Sequence, residues 1–197
     1  MIRKLPLIPT LIVAAAVAVM IALGVWQLRR AVEKDALLDR FRAAQNLPPI
    51  SFPTGPIHEN RLPLFRHSTG LCMEPVAKRS TAGRNRAGEP GYSQIIDCRT
   101  GVEGPGMSVE LGWSKNPNAA FNWPGGLVSG IIAPDSRTRM RLVAASSPTG
   151  LEPAAPPSIE QIPNNHRSYA IQWFLFALIA AVIFVLALRG KLKKAKP

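Results

Sequence analysis

The sequence predicts a membrane-anchored α+β protein: two transmembrane helices flanking a small antiparallel β-rich domain outside the cytoplasm. Two uncharged apolar runs are the first observation, Leu5–Leu28 with 24 residues and Tyr169–Leu188 with 20. At a rise of about 1.5 Å per residue, either run crosses a hydrocarbon core of roughly 30 Å. Backbone facing lipid must satisfy its own hydrogen bonds, so each run is read as a helix. The second observation is the stretch between them, which holds 16 of the 19 prolines and 13 of the 15 glycines. There, short apolar segments are punctuated by turn formers, the pattern of strands joined by tight connections.

Charge gives the third observation. The net charge of +12 would point to nucleic acid if it were evenly spread. All 12 acidic residues instead lie between the runs, with 17 of the 24 Lys and Arg. The other seven basic residues are Arg3 and Lys4 before the first run and Arg189, Lys191, Lys193, Lys194 and Lys196 after the second. Basic flanks are retained on the cytoplasmic side, whereas long loops cross largely regardless of charge. Both termini are therefore expected in the cytoplasm and the loop outside it. The basicity is expected to report topology and anionic lipid, not nucleic acid.

Residues 1–4 are read as a cytoplasmic tail and 5–28 as the first span. A cleavable signal peptide is the competing reading, since Arg3 and Lys4 resemble an n-region and Ala22-Leu23-Gly24 a cleavage site. The apolar run exceeds the 7–15 residues usual for an h-region and continues unbroken through Trp26 and Gln27, which favours a retained anchor. The absence of an Arg- and Ser-rich transit peptide favours a bacterial inner membrane. Residues 29–46 form a helical extension: Leu37, Leu38, Phe41 and Ala44 share one face, and Glu33 and Asp39 lie at ion-pair spacing from Arg30 and Arg42. The extension should stop before Leu47-Pro48-Pro49.

Residues 47–168 are assigned to the β-rich domain. Strands are expected at Leu62–Ser68, Leu71–Lys78, Tyr92–Arg99, Met107–Trp113, Leu127–Ile132 and Met140–Ala144. Arg79–Gly91 reads as a mobile hairpin tip, and the proline-rich Ser146–Pro163 as an extended lead-in to the second span, 169–188. Residues 189–197 make a basic cytoplasmic tail.

Gly24-Val25-Trp26-Gln27-Leu28-Arg29-Arg30, followed by Lys34 and Leu37-Leu38, resembles the first-helix signature of the surfeit-locus family of cytochrome c oxidase assembly factors. Asn165-His166-Arg167-Ser168-Tyr169-Ala170-Ile171-Gln172-Trp173-Phe174 is similar to that family's entry into its second helix. Gly91-Tyr92, Leu111-Gly112-Trp113 and Gly130 fall in the family's order, with Leu111 where the family usually has Arg, and with the usual proline delayed to Pro117. The resemblance implies a non-enzymatic factor that handles haem a and helps insert it into oxidase subunit I, beside the haem a synthesis machinery. It also places at His166 a family histidine proposed as a haem a ligand.

Neutral imidazole is a common axial ligand, and His166 sits three residues before the second span, where an amphipathic haem would present its iron. Helix capping together with Asn164, Asn165 and Ser168 is the alternative. Arg29 and Arg30 can pair with haem propionates in forked geometry or contact lipid phosphates. Trp26, Tyr169 and Trp173 read as interfacial anchors, with porphyrin stacking as a second use. His58 and His67 are expected to be solvated. Cys72 and Cys98, two thiols in an oxidising compartment on neighbouring strand candidates, suggest one disulfide. Copper is the weaker alternative, because Cys72-Met73 lacks further soft ligands nearby. Glu103 and Glu110 read as isolated, solvated carboxylates, and no phosphate loop, nucleophile elbow or metal-protease spacing is present. The expectation is an oxidase assembly factor, with an accessory subunit that stabilises a respiratory-complex intermediate without binding cofactor as the alternative.

Overall fold

The computed structural model describes residues 7–101 and 105–194. Arg3, Lys4, Glu103 and Lys196 lie outside them, as do the side chains of Lys191, Lys193 and Lys194. The chain divides into two compact units, one running to Leu37 and resuming at Pro163, the other spanning Leu38–Ile162.

The first unit is helical. Helix α1 (Leu7–Gln45) begins in the first apolar run, and α2 (His166–Lys194) contains the second. Both are long and apolar enough to cross a membrane. Leu11, Ile12, Val19, Ile171, Leu178 and Ile183 are exposed, so the apolar surface extends well beyond the face on which the helices meet. A helix apolar all round needs lipid or protein on every side. Where the two helices meet, the buried residues are small: Gly24 and Ala31 on α1, Ala170 and Ala177 on α2. A Cβ added at Gly24 would come within 2.6 Å of the Phe174 ring, so glycine lets that ring lie against the α1 backbone. Helix α1 closes with i to i+3 bonds from Asn46 N–H to Ala43 and from Leu47 N–H to Ala44, and Pro48-Pro49 ends it.

The second unit holds seven strands: β1 (Ile50–Ser51), β2 (His67–Cys72), β3 (Glu74–Arg84), β4 (Pro90–Arg99), β5 (Pro105–Ser114), β6 (Gly126–Asp135) and β7 (Arg139–Ala144). They form one sheet in the order β1-β2-β6-β7-β5-β4-β3. Four neighbouring pairs are antiparallel, but β1–β2 and β5–β7 are parallel, so the sheet is mixed. Two expectations are corrected. Strand β3 runs to Arg84 and pairs with β4 as far as Pro90, so Arg79–Gly91 is mostly ladder, with only Asn85–Glu89 left as the turn. Strand β2 begins at His67, because Leu62–Arg66 approaches the sheet through a 3-10 turn at Glu59–Arg61 and a left-handed Phe65 (φ 62°).

Only Met73 separates β2 from β3 in the chain, yet four strands lie between them in the sheet. The sheet must therefore roll until these strands meet. The Met73 N–H donates to Arg99 O at 3.0 Å, and the Cys72–Cys98 disulfide (S–S 2.10 Å, Cα–Cα 5.3 Å) joins β2 to β4 there. Ile96, Val109, Leu111, Val128, Ile132 and Leu142 fill the inside with both cystine sulfurs. The opposite face also carries buried residues, Asp97, Ser108 and Glu110 among them, alternating with the inward set at period 2. A bulge at Leu111 re-aims β5, so that Trp113 packs separately with Ala133, Val143 and Ala154. The stretch Ser146–Pro163 is tied to the sheet by Trp113 N–H to Glu152 O (2.7 Å) and Ala155 N–H to Arg84 O (2.8 Å). The last turns of α1 seal one end of this unit, with Leu38 and Phe41 against Phe65 and Ile159.

Candidate functional site

On α1, Gly24, Gln27, Ala31 and Asp35 recur at spacings of three and four, so they share one stripe. On α2, His166, Ala170, Trp173 and Ala177 do the same. The half-buried His166 stands at the first residue of α2, and its Nδ1 lies 2.8 Å from Gln27 Oε1. About two turns further along α1, Asp35 accepts from Asn164 Nδ2 at 2.7 Å and from an Arg167 guanidinium nitrogen at 2.7 Å. A histidine, two carboxamides and an ion pair thus line the opening of the helix pair. The side chain of Asn164 serves this cross-link rather than the helix end, and its Oδ1 is buried without a partner among the described residues.

The chemistry of this donor set is compatible with haem: the His166 imidazole would offer the iron one nitrogen ligand. His166 Nε2 makes no hydrogen bond among the described residues, and the ring is only partly covered. Also among the described residues, no group of three or more His, Cys, Asp or Glu is placed to hold a bare metal ion. The other expected site residues scatter around this point. Trp173 lies on the same side of α2 as His166, within about 20° at 100° per residue, and meets Phe176 edge-on at 6.2 Å. Tyr169 and Trp26 are exposed. Arg30 is held by Glu33 at 2.6 Å on the exposed surface. Arg29 is also exposed and points about 160° around α1 from Gln27. His166 and Arg29 are therefore not brought together. Gln27 and Asp35 are the residues that sequence reasoning passed over. A signal existed for Gln27, the only carboxamide in the first apolar run, since polar groups inside a span join helices or mark sites.

The second unit contributes polar chemistry of another kind. Glu110, expected to be solvated, is buried and accepts from Arg141 Nε at 2.7 Å. The correction follows from strand order: β5 lies beside β7 on the buried outer face, which brings Glu110 against Arg141. Arg141 also reaches Asp135 at 3.3 Å, and Arg79 reaches Asp135 at 2.9 Å. Burial pushes the Asp135 carboxyl up, but hydrogen bonds from the Thr138 N–H and hydroxyl and the nearby Arg79 charge outweigh it. The net pKa lies below the usual value. Two open clefts of about 400 and 430 Å³ adjoin this network, and neither is lined by histidine or cysteine. His58 and His67 are exposed. The cysteines are joined to each other, which leaves no thiol at 72 or 98 for copper.

The glycines and tryptophan of the middle segments act structurally. A Cβ at Gly91 would run into the Trp113 indole, one at Gly112 would lie 2.8 Å from Glu152 O, and one at Gly130 would overlap the Val143 carbonyl. Each glycine lets backbone or a large ring approach where no side chain fits.

A family model described as the SURF1 family matches residues 14–178, well over half of the chain and including both helices' facing stripes. No curated protein matches the chain at a significant level.

Proposed function

Because this chain belongs to the SURF1 family, which is associated with cytochrome c oxidase assembly and whose members are assembly factors rather than catalysts, we propose that it handles haem a during assembly of the oxidase. In this reading it holds the haem transiently through His166 and passes it to subunit I, working beside the haem a synthesis machinery. The observation that carries the reading is His166 at the mouth of the helix pair, with Nδ1 engaged by Gln27 and Nε2 without a partner among the described residues. His166 would hold the haem through an imidazole nitrogen, and Trp173 would give the porphyrin an aromatic neighbour. The haem, when bound, supplies the iron that recognises the ligand. A single ligand at a half-open site suits a carrier, which must also release.

Two helices able to cross a membrane support membrane localisation. The orientation belongs to the proposal: basic tails inside, the β unit in the periplasm of a bacterial inner membrane. A reporter fused after Pro197 and active only in the periplasm would overturn that orientation.

Purification from cells that make haem a tests the ligand. Wild type should carry a haem a spectrum, and the His166→Ala variant should insert normally and lose it. Changing Arg29 and Arg30 together should weaken retention only a few-fold, since exposed pairs contribute about 0–1 kcal/mol. An unchanged spectrum in His166→Ala sinks the assignment. One observation favours the alternative of an accessory subunit without cofactor: Leu71 and Leu127, directly opposite on β2 and β6, are both exposed, as are Met73 and Val76 shortly after in the chain, apolar surface suited to protein contact. Wild type that carries no haem a at all would give that reading the lead.

A further inference from the structure

His166 is a three-state side chain: protonated, or neutral with its hydrogen on either nitrogen. Only a nitrogen without hydrogen can bind iron. The nitrogen turned to Gln27 is Nδ1, at 2.8 Å from the carboxamide oxygen Oε1. With its oxygen turned to the ring the carboxamide accepts, so the contact is a hydrogen bond when the hydrogen sits on Nδ1, and the lone pair is then left on Nε2. Histidines that ligate metals are held in this manner, with the non-ligating N–H donating to a carbonyl or carboxylate that fixes the tautomer and the ring plane.

We infer that Gln27 is the positioning residue for His166: its amide oxygen sets the Nδ1–H tautomer and so presents the Nε2 lone pair at the mouth of the helix pair. The role of that lone pair toward haem rests on the reading given above, but the tautomer does not. The surroundings agree with a fixed amide. Gln27 is half-buried between Gly24 and Ala31, two buried positions of the same stripe. One of the two, Gly24, lets the Phe174 ring pack against α1. On the other side, Asp35 is taken up by Asn164 and Arg167 and so does not compete for the imidazole.

The test has two arms on the full chain in detergent. In haem-free protein labelled with ¹⁵N-histidine, His166 is identified by the signal missing in His166→Ala. In the neutral ring, wild type should show a protonated Nδ1 and an unprotonated Nε2, and Gln27→Leu should revert to the Nε2–H form that free imidazole side chains favour. A wild-type Nε2–H form, or a tautomer untouched by Gln27→Leu, overturns the inference. In the second arm haem a is titrated into each variant. Gln27→Leu should bind several-fold more weakly than wild type. Gln27→Glu, which keeps an acceptor and adds charge, should restore binding and lower the reduction potential of the bound haem, a shift that a merely structural role would not produce. Wild-type affinity and potential in both Gln27 variants likewise overturns the inference. Haem a binding that is equal in wild type and His166→Ala sinks the ligand reading instead, and the first arm then judges the tautomer alone.

Discussion

Asp135 shows how much a single carboxylate can hold. One oxygen takes the Thr138 N–H at 2.8 Å, the Thr138 hydroxyl at 2.9 Å and Arg79 at 2.9 Å, while the other faces Arg141 at 3.3 Å. Its folded pKa lies below the ordinary value because these contacts outweigh burial. Its contribution to stability is complete above the unfolded value of about 3.9 and is lost as pH falls through the folded one. Asp135→Asn should therefore lower stability near neutrality by about 3 kcal/mol, since it leaves two arginines short of a buried partner. It should also flatten the loss of stability below about pH 4. Thermal melts followed by circular dichroism from pH 3 to 8 check both. None of this was legible at the residue level, because Asp135 meets Arg79 across 56 positions of sequence. A carboxylate in a Gly- and Pro-punctuated chain reads as solvated until strand order is known, and Glu110 was misjudged for the same reason.

At the scale of the element, helices and strands differ in what their sequence reveals. The two helices were legible because a long uncharged apolar run has few alternatives once lipid is the solvent. Strand β3 was half missed because Arg79, Ser80, Thr81 and Gly83 carry no apolar alternation, and their order comes from pairing with Ile95, Gln94, Ser93 and Gly91 on β4. The parallel contact of β5 with β7 was beyond reach, since β6 comes between them in the chain but pairs on the far side of β7 in the sheet. Glycine positions sharpen this into a prediction. Gly130→Ala forces β6 away from β7 at the Val143 carbonyl and should cost several kcal/mol or abolish folding, whereas Gly55→Ala, with nothing within 4 Å, should stay within about 0.5 kcal/mol. Urea unfolding of the two variants, read by Trp fluorescence, separates these outcomes.

Across the whole molecule, two compact units answer to different solvents, and the functional reading is concentrated in the smaller inventory of polar groups on the helical one. Family membership was legible from a motif inside α1 and another at the start of α2, two stretches whose residue spacing a continuous helix sets. The contact that gives His166 its meaning was not, because Gln27 lies 139 residues away and its polar head passes for an interruption in an apolar run. In the β unit, the bridge between Cys72 and Cys98 closes a loop with a separation of 26 residues and should stabilise by about 3.5 kcal/mol in the chain-entropy model. Native, unreduced protein should resist alkylation at both cysteines. Reduction should lower the melting temperature by several degrees, which calorimetry measures.

That bridge also bears on the order in which the chain can be assembled as it is made. Cys98 follows Cys72 closely, whereas the neighbour of β2 in the sheet, β6, begins only at Gly126. Strands β2, β3 and β4 can thus be clasped together while the rest of the chain is still being synthesised. The strands β5, β6 and β7 then have to thread into the gap between β2 and β4, filling a frame whose two sides are already fixed. Until β6 is made, β2 has no partner on that side and offers an open edge prone to pairing with other chains, while a bridge formed early already holds its end to β4. Early oxidation is then a guard against aggregation as much as a source of stability, and loss of either cysteine should be felt more in yield than in the finished fold.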